Sequence, residues 1–268
     1  MTSTSEDTVG TILGTIGTVF WCIQLSPQIY FLYKRKSAEG FPPIFMCLWC
    51  LSGIPMSIYF IVSNTYIVMQ LQPHLFTILC SIAWIQSMYY PPYQFPKKKI
   101  ITLALTFYLA WIGFEVGFSV WLRPLYARGI EWPDLIFGII SSVLLAIGLL
   151  PPYFELWKRK GQVVGINFVF LALDSTGAVF SMASMLVGTF DAMGMSLYVI
   201  ILVLELGIFT SQAIWWLRFR WRKGKDANEE STSNIKVDYE LNDYSIKSQQ
   251  NKSEEQNKPL TPSLDISE

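Results

Sequence analysis

The sequence predicts an all-α membrane protein in which seven transmembrane helices form two parallel three-helix repeats joined by a connector helix. The 268-residue chain is 52% hydrophobic but only 15% charged, whereas soluble domains are closer to a quarter charged. It contains seven apolar runs that are long enough to cross a bilayer as helices. It also carries one sequence pattern twice, and a repeat of this length indicates duplication of a multi-helix unit.

We place the spans on the apolar runs, because about 18–20 apolar residues cross the hydrocarbon core as a helix. In chain order the seven predicted spans are Val9–Phe31, Pro43–Val62, Leu75–Tyr93, Ile100–Trp121, Leu135–Leu156, Phe168–Val187 and Leu197–Leu217. Residues 1–8 lack the basic stretch that a cleavable signal peptide needs. The first span is therefore expected to remain in the protein and to direct its own insertion.

The loops that separate the spans alternate between basic and nearly uncharged, and this alternation predicts the orientation. Twelve Lys and Arg residues fall on one side, in clusters at 34–36, 97–99, 158–160 and 218–222. The other side has only Arg123 and Arg128. Loops rich in Lys and Arg stay in the cytosol. The N-terminus is therefore predicted to face the lumen or exterior and the C-terminus to face the cytosol.

An odd number of spans lets both repeats enter the membrane from the same side. We assign residues 1–96 to the N-terminal segment and first repeat, 97–133 to the connector helix and a luminal loop, and 134–222 to the second repeat. Residues 223–268 form a polar, acidic tail that cannot bury enough apolar surface to become ordered, so it is predicted to be disordered and cytosolic. By analogy with transporter folds, a binding site is expected between the repeats near mid-membrane.

The duplicated pattern centres on a proline inside a spanning helix. Pro27 aligns with Pro151, and, past one extra residue in the second copy, Gly40 aligns with Gly165. A proline in a helix removes a backbone hydrogen bond, which is tolerated at membrane depth where the freed carbonyl meets a partner or a cavity. Pro27 and Pro151 are therefore interpreted as paired hinges, with a static kink as the alternative.

The first copy, Leu-Ser-Pro-Gln at residues 25–28 followed by Lys-Arg-Lys-Ser-Ala-Glu-Gly-Phe at 34–41, resembles the signature of the PQ-loop family. That family includes cystinosin and the fungal vacuolar basic amino acid transporters and is related to the SWEET sugar transporters. The resemblance implies that the hinges rock two halves. The second copy departs from it, because Pro152 stands where the first has Gln28. Gln28 can donate and accept in the backbone turn that the proline frees, whereas Pro152 cannot, so the hinges are predicted to be unequal.

Asp174 is the strongest candidate for function. An ionised carboxylate inside an apolar span is costly unless it faces a cavity, has a partner or takes up a proton. Residues 171–181 resemble a segment of cystinosin, which implies that Asp174 takes part in proton coupling; a packing role is the alternative. Glu205, in the middle of the seventh span, is a second candidate of this kind. Trp49, near the repeat mate of Asp174, is predicted either to line the cavity or to pack in the core.

Other chemistry-bearing residues receive less specific roles. Glu115 lies in the connector, where a substrate site is not expected. His74, the single histidine of the chain, is predicted to be a solvated residue at the luminal start of the third span, with a sensor of luminal acidity as the alternative. Cys47 and Cys50 have the spacing of a redox or metal pair but lack a second pair, so they are predicted to be small apolar side chains.

These features and the resemblance together predict a proton-coupled transporter that exports amino acids, cationic or cystine-like, from an acidic vacuole or lysosome. Its predicted partners are the amino acid, protons and the lipid bilayer. The sequence has no phosphate loop, metal cluster or activated nucleophile, so no enzyme, nucleic-acid binding, cofactor or metal is predicted. Two alternatives stay open. One is a heptahelical nutrient sensor or receptor, which the internal repeat disfavours. The other is a non-transporting membrane scaffold, which fits the departure at Pro152.

Overall fold

A computed structural model describes residues 2–65, 67–188 and 195–219, and every regular element within these ranges is a helix, as predicted. In chain order the helices are α1 (Thr2–Ile23), α2 (Leu25–Arg35), α3 (Pro43–Val62), α4 (Ile67–Tyr89), α5 (Lys97–Ala127), α6 (Trp132–Gly148), α7 (Leu150–Lys158), α8 (Phe168–Val187) and α9 (Met195–Phe219). The chain divides into two compact units, Met1–Trp215 and Trp216–Glu268. In the second unit the described residues are 216–219, the end of α9, and the predicted tail at 223–268 lies outside the described residues.

Among the described residues, six helical segments are long and apolar enough to cross a membrane. They are Thr8–Arg35, Pro43–Val62, Lys97–Ala127, Trp132–Lys158, Phe168–Val187 and Met195–Phe219. These segments coincide with all the predicted spans except the third, which falls on α4. Helix α4 has 23 residues, about 35 Å at 1.5 Å per residue, which is long enough to cross. The arrangement of seven spans as two parallel triplets with a connector stays a prediction.

Helix α4 begins at Ile67, well before the predicted start at Leu75. The prediction began there because Gln72, Pro73 and His74 interrupt the apolar run. In the structure, Gln72 and Pro73 line a cavity and His74 bonds to a neighbouring helix. Polar side chains are tolerated at membrane depth when they face a cavity or a partner, so the helix continues through them.

The first and fifth predicted spans are each two helices, separated at Gln24 and at Leu149. Gln24 precedes Pro27 by three positions, and Leu149 precedes Pro152 by three. A proline cannot donate to the carbonyl four residues earlier, so the hydrogen-bond ladder is interrupted just before it. Both junction residues keep helical backbone angles, φ −53° and ψ −39° at Gln24 and φ −76° and ψ −13° at Leu149. The predicted breaks therefore exist, and each is a lost hydrogen bond rather than a sharp turn.

The two predicted repeats meet along matched helix pairs. Helix α1 packs against α8, and α6 packs against α3, so each repeat lays its first helix on the second helix of the other. The α1–α8 contact is built on small residues. Gly10 accepts a 2.6 Å hydrogen bond from Ser184 Oγ, and a Cβ added at Gly14 or Gly17 would press on Ser184 or Ser181. Small side chains let helix backbones approach closely where lipid offers no hydrophobic gain.

Candidate functional site

A cavity of about 290 Å³ lies between the helices of the two predicted repeats, near the lower end of the size range of small-molecule sites. Its lining combines aromatic, methionine and hydroxyl side chains, among them Trp21, Trp49, Met56, Tyr59, Ser141 and Tyr198. Asp174 is the only charged side chain that lines the cavity within the described part of the chain.

The cavity extends toward the end of the bundle opposite the basic loops. Helix α3 begins at Pro43, directly after the first basic loop, and ends at Val62, so the α3–α4 connection lies at the other end. Thr65 from this connection and Met185 near the end of α8 both line the cavity. Under the predicted topology this end is luminal.

The two buried carboxyl groups of the sequence prediction are direct neighbours. Asp174 on α8 is 5% exposed and Glu205 on α9 is completely buried, and their carboxyl groups lie within hydrogen-bonding reach of each other. Ser175 Oγ donates to Glu205 Oε2 at 2.6 Å. Trp21 Nε1 donates to the backbone carbonyl of Asp174 at 3.3 Å. Asp174 lines the cavity and Glu205 lies behind it, so the structure brings both residues into one site, while their roles stay predictions.

Trp49 lies both at the cavity and in the aromatic core. Its ring lines the cavity and is also packed edge-on against Phe45 and Phe170, with 2% of its surface exposed. Its Nε1 donates to the carbonyl of Leu145 on α6 at 3.2 Å. A Cβ at Gly148 would overlap the indole ring. Trp49 therefore forms part of the cavity floor and ties α3 to α6.

Gln28 bonds across the repeats rather than within its own helix. Its Nε2 donates to the carbonyl of Gly165 at 2.8 Å, and its Oε1 accepts from the backbone N–H of Asn167 at 2.7 Å. Asn167 Nδ2 donates back to the carbonyl of Pro27 at 3.2 Å, while its Oδ1 caps α8 by accepting from Val169 N–H. The expectation that Gln28 serves the turn freed by Pro27 was therefore wrong, because the second repeat's loop offers a complete donor and acceptor pair.

The loop between α2 and α3 and the loop between α7 and α8 contact each other through Gly40 and Gly165, which are repeat-related. Gly40 and Gly165 both have positive φ, +77° and +91°, and a Cβ on Gly40 would overlap the carbonyl of Val164. A Cβ on Gly165 would overlap the carbonyl of Glu39. Glycine is needed at both positions for its backbone conformation and for this close approach. We call the contacts of Gln28, Gly40, Gly165 and Asn167 the loop latch; it lies at the end of the bundle that carries the basic loops.

The Gln28–Asn167 pair of the loop latch has no counterpart at the repeat-related positions. Gln28 aligns with Pro152, and Asn167 aligns with Pro42. Pro152 has no amide side chain, and Pro42 has no N–H to offer to one. The two departures therefore match, since each removes one half of the same hydrogen-bonded pair. Pro151 and Pro152 lie in the first turn of α7, where a missing N–H costs little.

Sequence reasoning missed a polar cluster on α3, α4 and α5. His74 Nδ1 lies 2.7 Å from the carbonyl of Gln70, and its Nε2 lies 2.9 Å from Glu115 Oε1. Glu115 Oε2 accepts from Trp111 Nε1 at 2.7 Å and contacts Ser57 Oγ at 2.8 Å. His74 is therefore not the solvated residue that was predicted. The sequence held a signal for this contact, because an isolated histidine and an isolated glutamate in apolar helices both need a polar partner.

In the part of the chain that the structure describes, no group of three or more His, Cys, Asp or Glu side chains is arranged to hold a metal ion. Cys50 is buried in the core cluster and Cys47 packs partly buried against it. Both side chains occupy apolar surroundings in the structure.

The apolar helices define a multi-pass helical membrane protein with a duplicated helix break and a cavity between the two predicted repeats. A family sequence model described as "PQ loop repeat" matches residues 9–69 and 135–194, one copy in each predicted repeat. The chain belongs to the PQ-loop repeat family, which confirms the family predicted from the sequence.

The chain is also similar to two fungal proteins. It is 54% identical over 227 residues to an uncharacterized membrane protein of Saccharomyces cerevisiae, covering 84% of this chain and 73% of that protein. It is 33% identical over 202 residues to an uncharacterized protein of Schizosaccharomyces pombe, covering 75% of this chain and 71% of that protein.

Proposed function

We propose that this PQ-loop protein is a proton-coupled transporter that exports amino acids, cationic or cystine-like, from an acidic organelle by alternating access. The observation that carries the proposal is the Asp174–Glu205 pair at the cavity between the repeats. Two ionised carboxylates that are direct neighbours and shielded from water repel each other, so such a pair retains one proton. That proton is the coupling ion of the proposal.

The pair also gives the two carboxyl groups different tasks. Asp174 lines the cavity, whereas the cavity lining does not include Glu205. We assign the proton to Glu205 and the contact with substrate to Asp174. With one proton bound, the pair carries one negative charge, and no Lys or Arg of the described residues lines the cavity. This balance favours a positively charged group on the substrate.

The loop latch supplies the conformational part of the proposal. It joins the two repeats at the basic end, while the cavity extends toward the other end. Under the predicted topology the structure corresponds to a state closed toward the cytosol. Substrate and proton enter from the lumen, and opening of the latch lets them leave toward the cytosol as the halves rock about the breaks at Gln24 and Leu149.

The deciding experiment is uptake by the purified protein in liposomes under an imposed pH gradient, with a panel of cationic, neutral and acidic amino acids and cystine. Transport predicts accumulation of one class that collapses when the gradient is dissipated. Binding of an amino acid without flux would favour the sensor alternative. Neither binding nor flux for any member of the panel would favour the scaffold alternative.

The proposed hinges at Pro27 and Pro151 are tested by replacing each proline with leucine. Pro27→Leu is expected to slow transport about tenfold, equivalent to about 1.4 kcal/mol in activation free energy, because it restores the helix ladder at Gln24 and stiffens the break. Pro151→Leu is expected to have a smaller effect, since Pro152 still interrupts the ladder at Leu149. Turnover at equal protein abundance in membranes is the measurement. Wild-type turnover in Pro27→Leu would identify the break as a static kink.

Orientation is tested at two exposed basic positions. Lys98→Cys and Arg128→Cys are introduced separately into a variant in which the four native cysteines are replaced. In sealed vesicles with the cytosolic face outward, a membrane-impermeant maleimide is expected to label the first cysteine and to reach the second only after detergent is added, because basic loops stay cytosolic. The reverse pattern would invert the topology and place the cavity opening on the cytosolic side.

A further inference from the structure

The hydrogen-bond geometry around His74 requires a bound proton. Nδ1 lies 2.7 Å from the carbonyl oxygen of Gln70, which can only accept, so Nδ1 carries a hydrogen. Nε2 lies 2.9 Å from Glu115 Oε1, and a carboxylate oxygen facing a bare ring nitrogen would bring two lone pairs together. A second proton therefore lies between Nε2 and Oε1. His74 and Glu115 together therefore hold one more proton than a neutral imidazole and a carboxylate would hold.

The other oxygen of Glu115 indicates which partner carries that proton. Trp111 Nε1 has no acceptor atom and donates to Oε2 at 2.7 Å. Ser57 Oγ lies 2.8 Å from the same oxygen and 2.8 Å from the carbonyl of Ile54, so its one hydrogen serves one of the two. The N–H of Trp111 on Oε2 stabilises the carboxylate, so the shared proton resides on His74. The arrangement is an imidazolium–carboxylate pair with a net charge of zero.

The pair joins the connector helix to one wall of the cavity. Glu115 and Trp111 belong to α5, His74 belongs to α4, and Ser57 belongs to α3. Gln72, Pro73 and Phe76 of α4 line the cavity, while His74, between them in sequence, faces α5. The position of this wall is therefore tied to the contact between His74 and Glu115.

The pair lies beside the cavity, since Gln72 and Pro73 next to His74 line it. The side chains of His74 and Glu115 are 30% and 18% exposed in the protein alone, so the helix bundle does not seal them off. Among the described residues of α3, α4 and α5, Glu115 is the only charged group that interacts electrostatically with His74. His74 is likewise the only charged group that interacts electrostatically with Glu115. Protonation of this site thus depends on these two groups and on the adjacent compartment.

We propose that His74 and Glu115 form a second proton-binding site, separate from the Asp174–Glu205 pair, whose bound proton holds the connector helix α5 against the cavity wall of α4. When the proton leaves, the carboxylate faces an unprotonated ring nitrogen and the contact is lost. Proton occupancy then sets how firmly the wall is fixed. The site binds its proton whether or not the proposed transport function is correct.

Because His74 is the single histidine of the chain, selective ¹⁵N-histidine labelling gives one imidazole signal in an NMR spectrum of the full-length protein in detergent or nanodiscs. At about pH 7, where an isolated imidazole is largely neutral, wild-type protein is expected to show both ring nitrogens protonated. Glu115→Gln, whose amide can donate to Nε2 without a shared proton, is expected to show a neutral imidazole. A neutral imidazole in the wild-type protein would overturn the proposal.

Tyr108→Phe is the matched control for packing, since it keeps an aromatic ring on α5 and removes only the hydroxyl that contacts Ser81 on α4. It is expected to keep the imidazolium signal, because His74, Glu115 and Trp111 are untouched. A neutral imidazole in Tyr108→Phe, matching that in Glu115→Gln, would show that packing between α4 and α5 rather than the charge of Glu115 holds the proton, and would overturn the proposal.

A transport measurement tests the consequence for the cavity wall and rests on the proposed function. His74→Gln keeps a hydrogen-bonding side chain but cannot titrate, so the dependence of uptake on luminal pH is expected to lose one component and become shallower, while Tyr108→Phe keeps the wild-type profile. An unchanged profile in His74→Gln would overturn the link to the wall. Failure of the wild-type protein to transport would instead overturn the proposed function, with the NMR result standing independently.

Discussion

Asp174→Asn is expected to abolish substrate accumulation driven by a pH gradient. The amide preserves the size of the side chain and its ability to hydrogen-bond, but it removes the negative charge from the cavity and cannot share a proton with Glu205. Exchange of substrate at equal pH is expected to persist at a reduced rate, because the latch and the helix breaks are untouched. The measurement is uptake into proteoliposomes with and without a pH gradient, at matched protein content.

Two variants control for structural damage at this site. Ser175→Ala removes the 2.6 Å hydrogen bond to Glu205 without changing any titratable group, and it is expected to remain gradient-driven. Glu205→Gln is expected to uncouple the gradient like Asp174→Asn but with a smaller loss of substrate affinity, because Glu205 does not line the cavity. Gradient-driven uptake in Asp174→Asn together with its loss in Glu205→Gln would assign the proton to α9 alone and remove Asp174 from the coupling site.

The sequence was sufficient for features that depend on local physics. Apolar runs located the helices, and the prolines located breaks at Gln24 and Leu149, because a missing N–H acts on its own helix whatever surrounds it. The start of α4 was misplaced for the opposite reason. Gln72 and His74 look like interruptions when the sequence is read alone, and they become compatible with a membrane-embedded helix only once the cavity and α5 supply their surroundings.

Contacts between residues that are far apart in the chain could not be predicted from the sequence alone. Asp174 and Glu205 were each identified as buried acids, but their contact depends on how α8 and α9 face each other. Gln28 was identified by its motif, yet its partners lie in the loop at residues 165–167, a contact that depends on how the halves dock. The matched departures at Pro42 and Pro152 had meaning only after the contact of Gln28 with Asn167 was known.

Gln28→Leu is expected to open the loop latch. The substitution leaves the buried carbonyl of Gly165 and the half-buried N–H of Asn167 without their partners, at a cost on the order of 2–4 kcal/mol for two lost hydrogen bonds. A change of this size shifts a two-state equilibrium by more than tenfold. The shift is measured as a longer spin-label distance between Lys34→Cys and Lys158→Cys, which mark repeat-related positions at the ends of α2 and α7. Glu39→Gln is the control, because it removes only exposed ion pairs with Arg35 and Arg159, a type of contact worth little.

The double variant Pro42→Asn with Pro152→Gln is expected to have the opposite effect to Gln28→Leu, because it adds a second hydrogen-bonded pair to the loop latch. Neither substitution is expected to do so alone. Pro42 (φ −67°, ψ 137°) has nearly the backbone conformation of Asn167 (φ −81°, ψ 125°), so an asparagine fits there without strain and can cap α3 as Asn167 caps α8. Pro152→Gln alone has no N–H to accept from, and Pro42→Asn alone has no amide partner. The double variant is therefore expected to hold the basic end closed, shorten the spin-label distance and slow transport by more than the two single variants combined. Additive effects of the two substitutions would show that positions 42 and 152 do not form the repeat-related equivalent of the Gln28–Asn167 pair, and that the asymmetry of the latch has another cause.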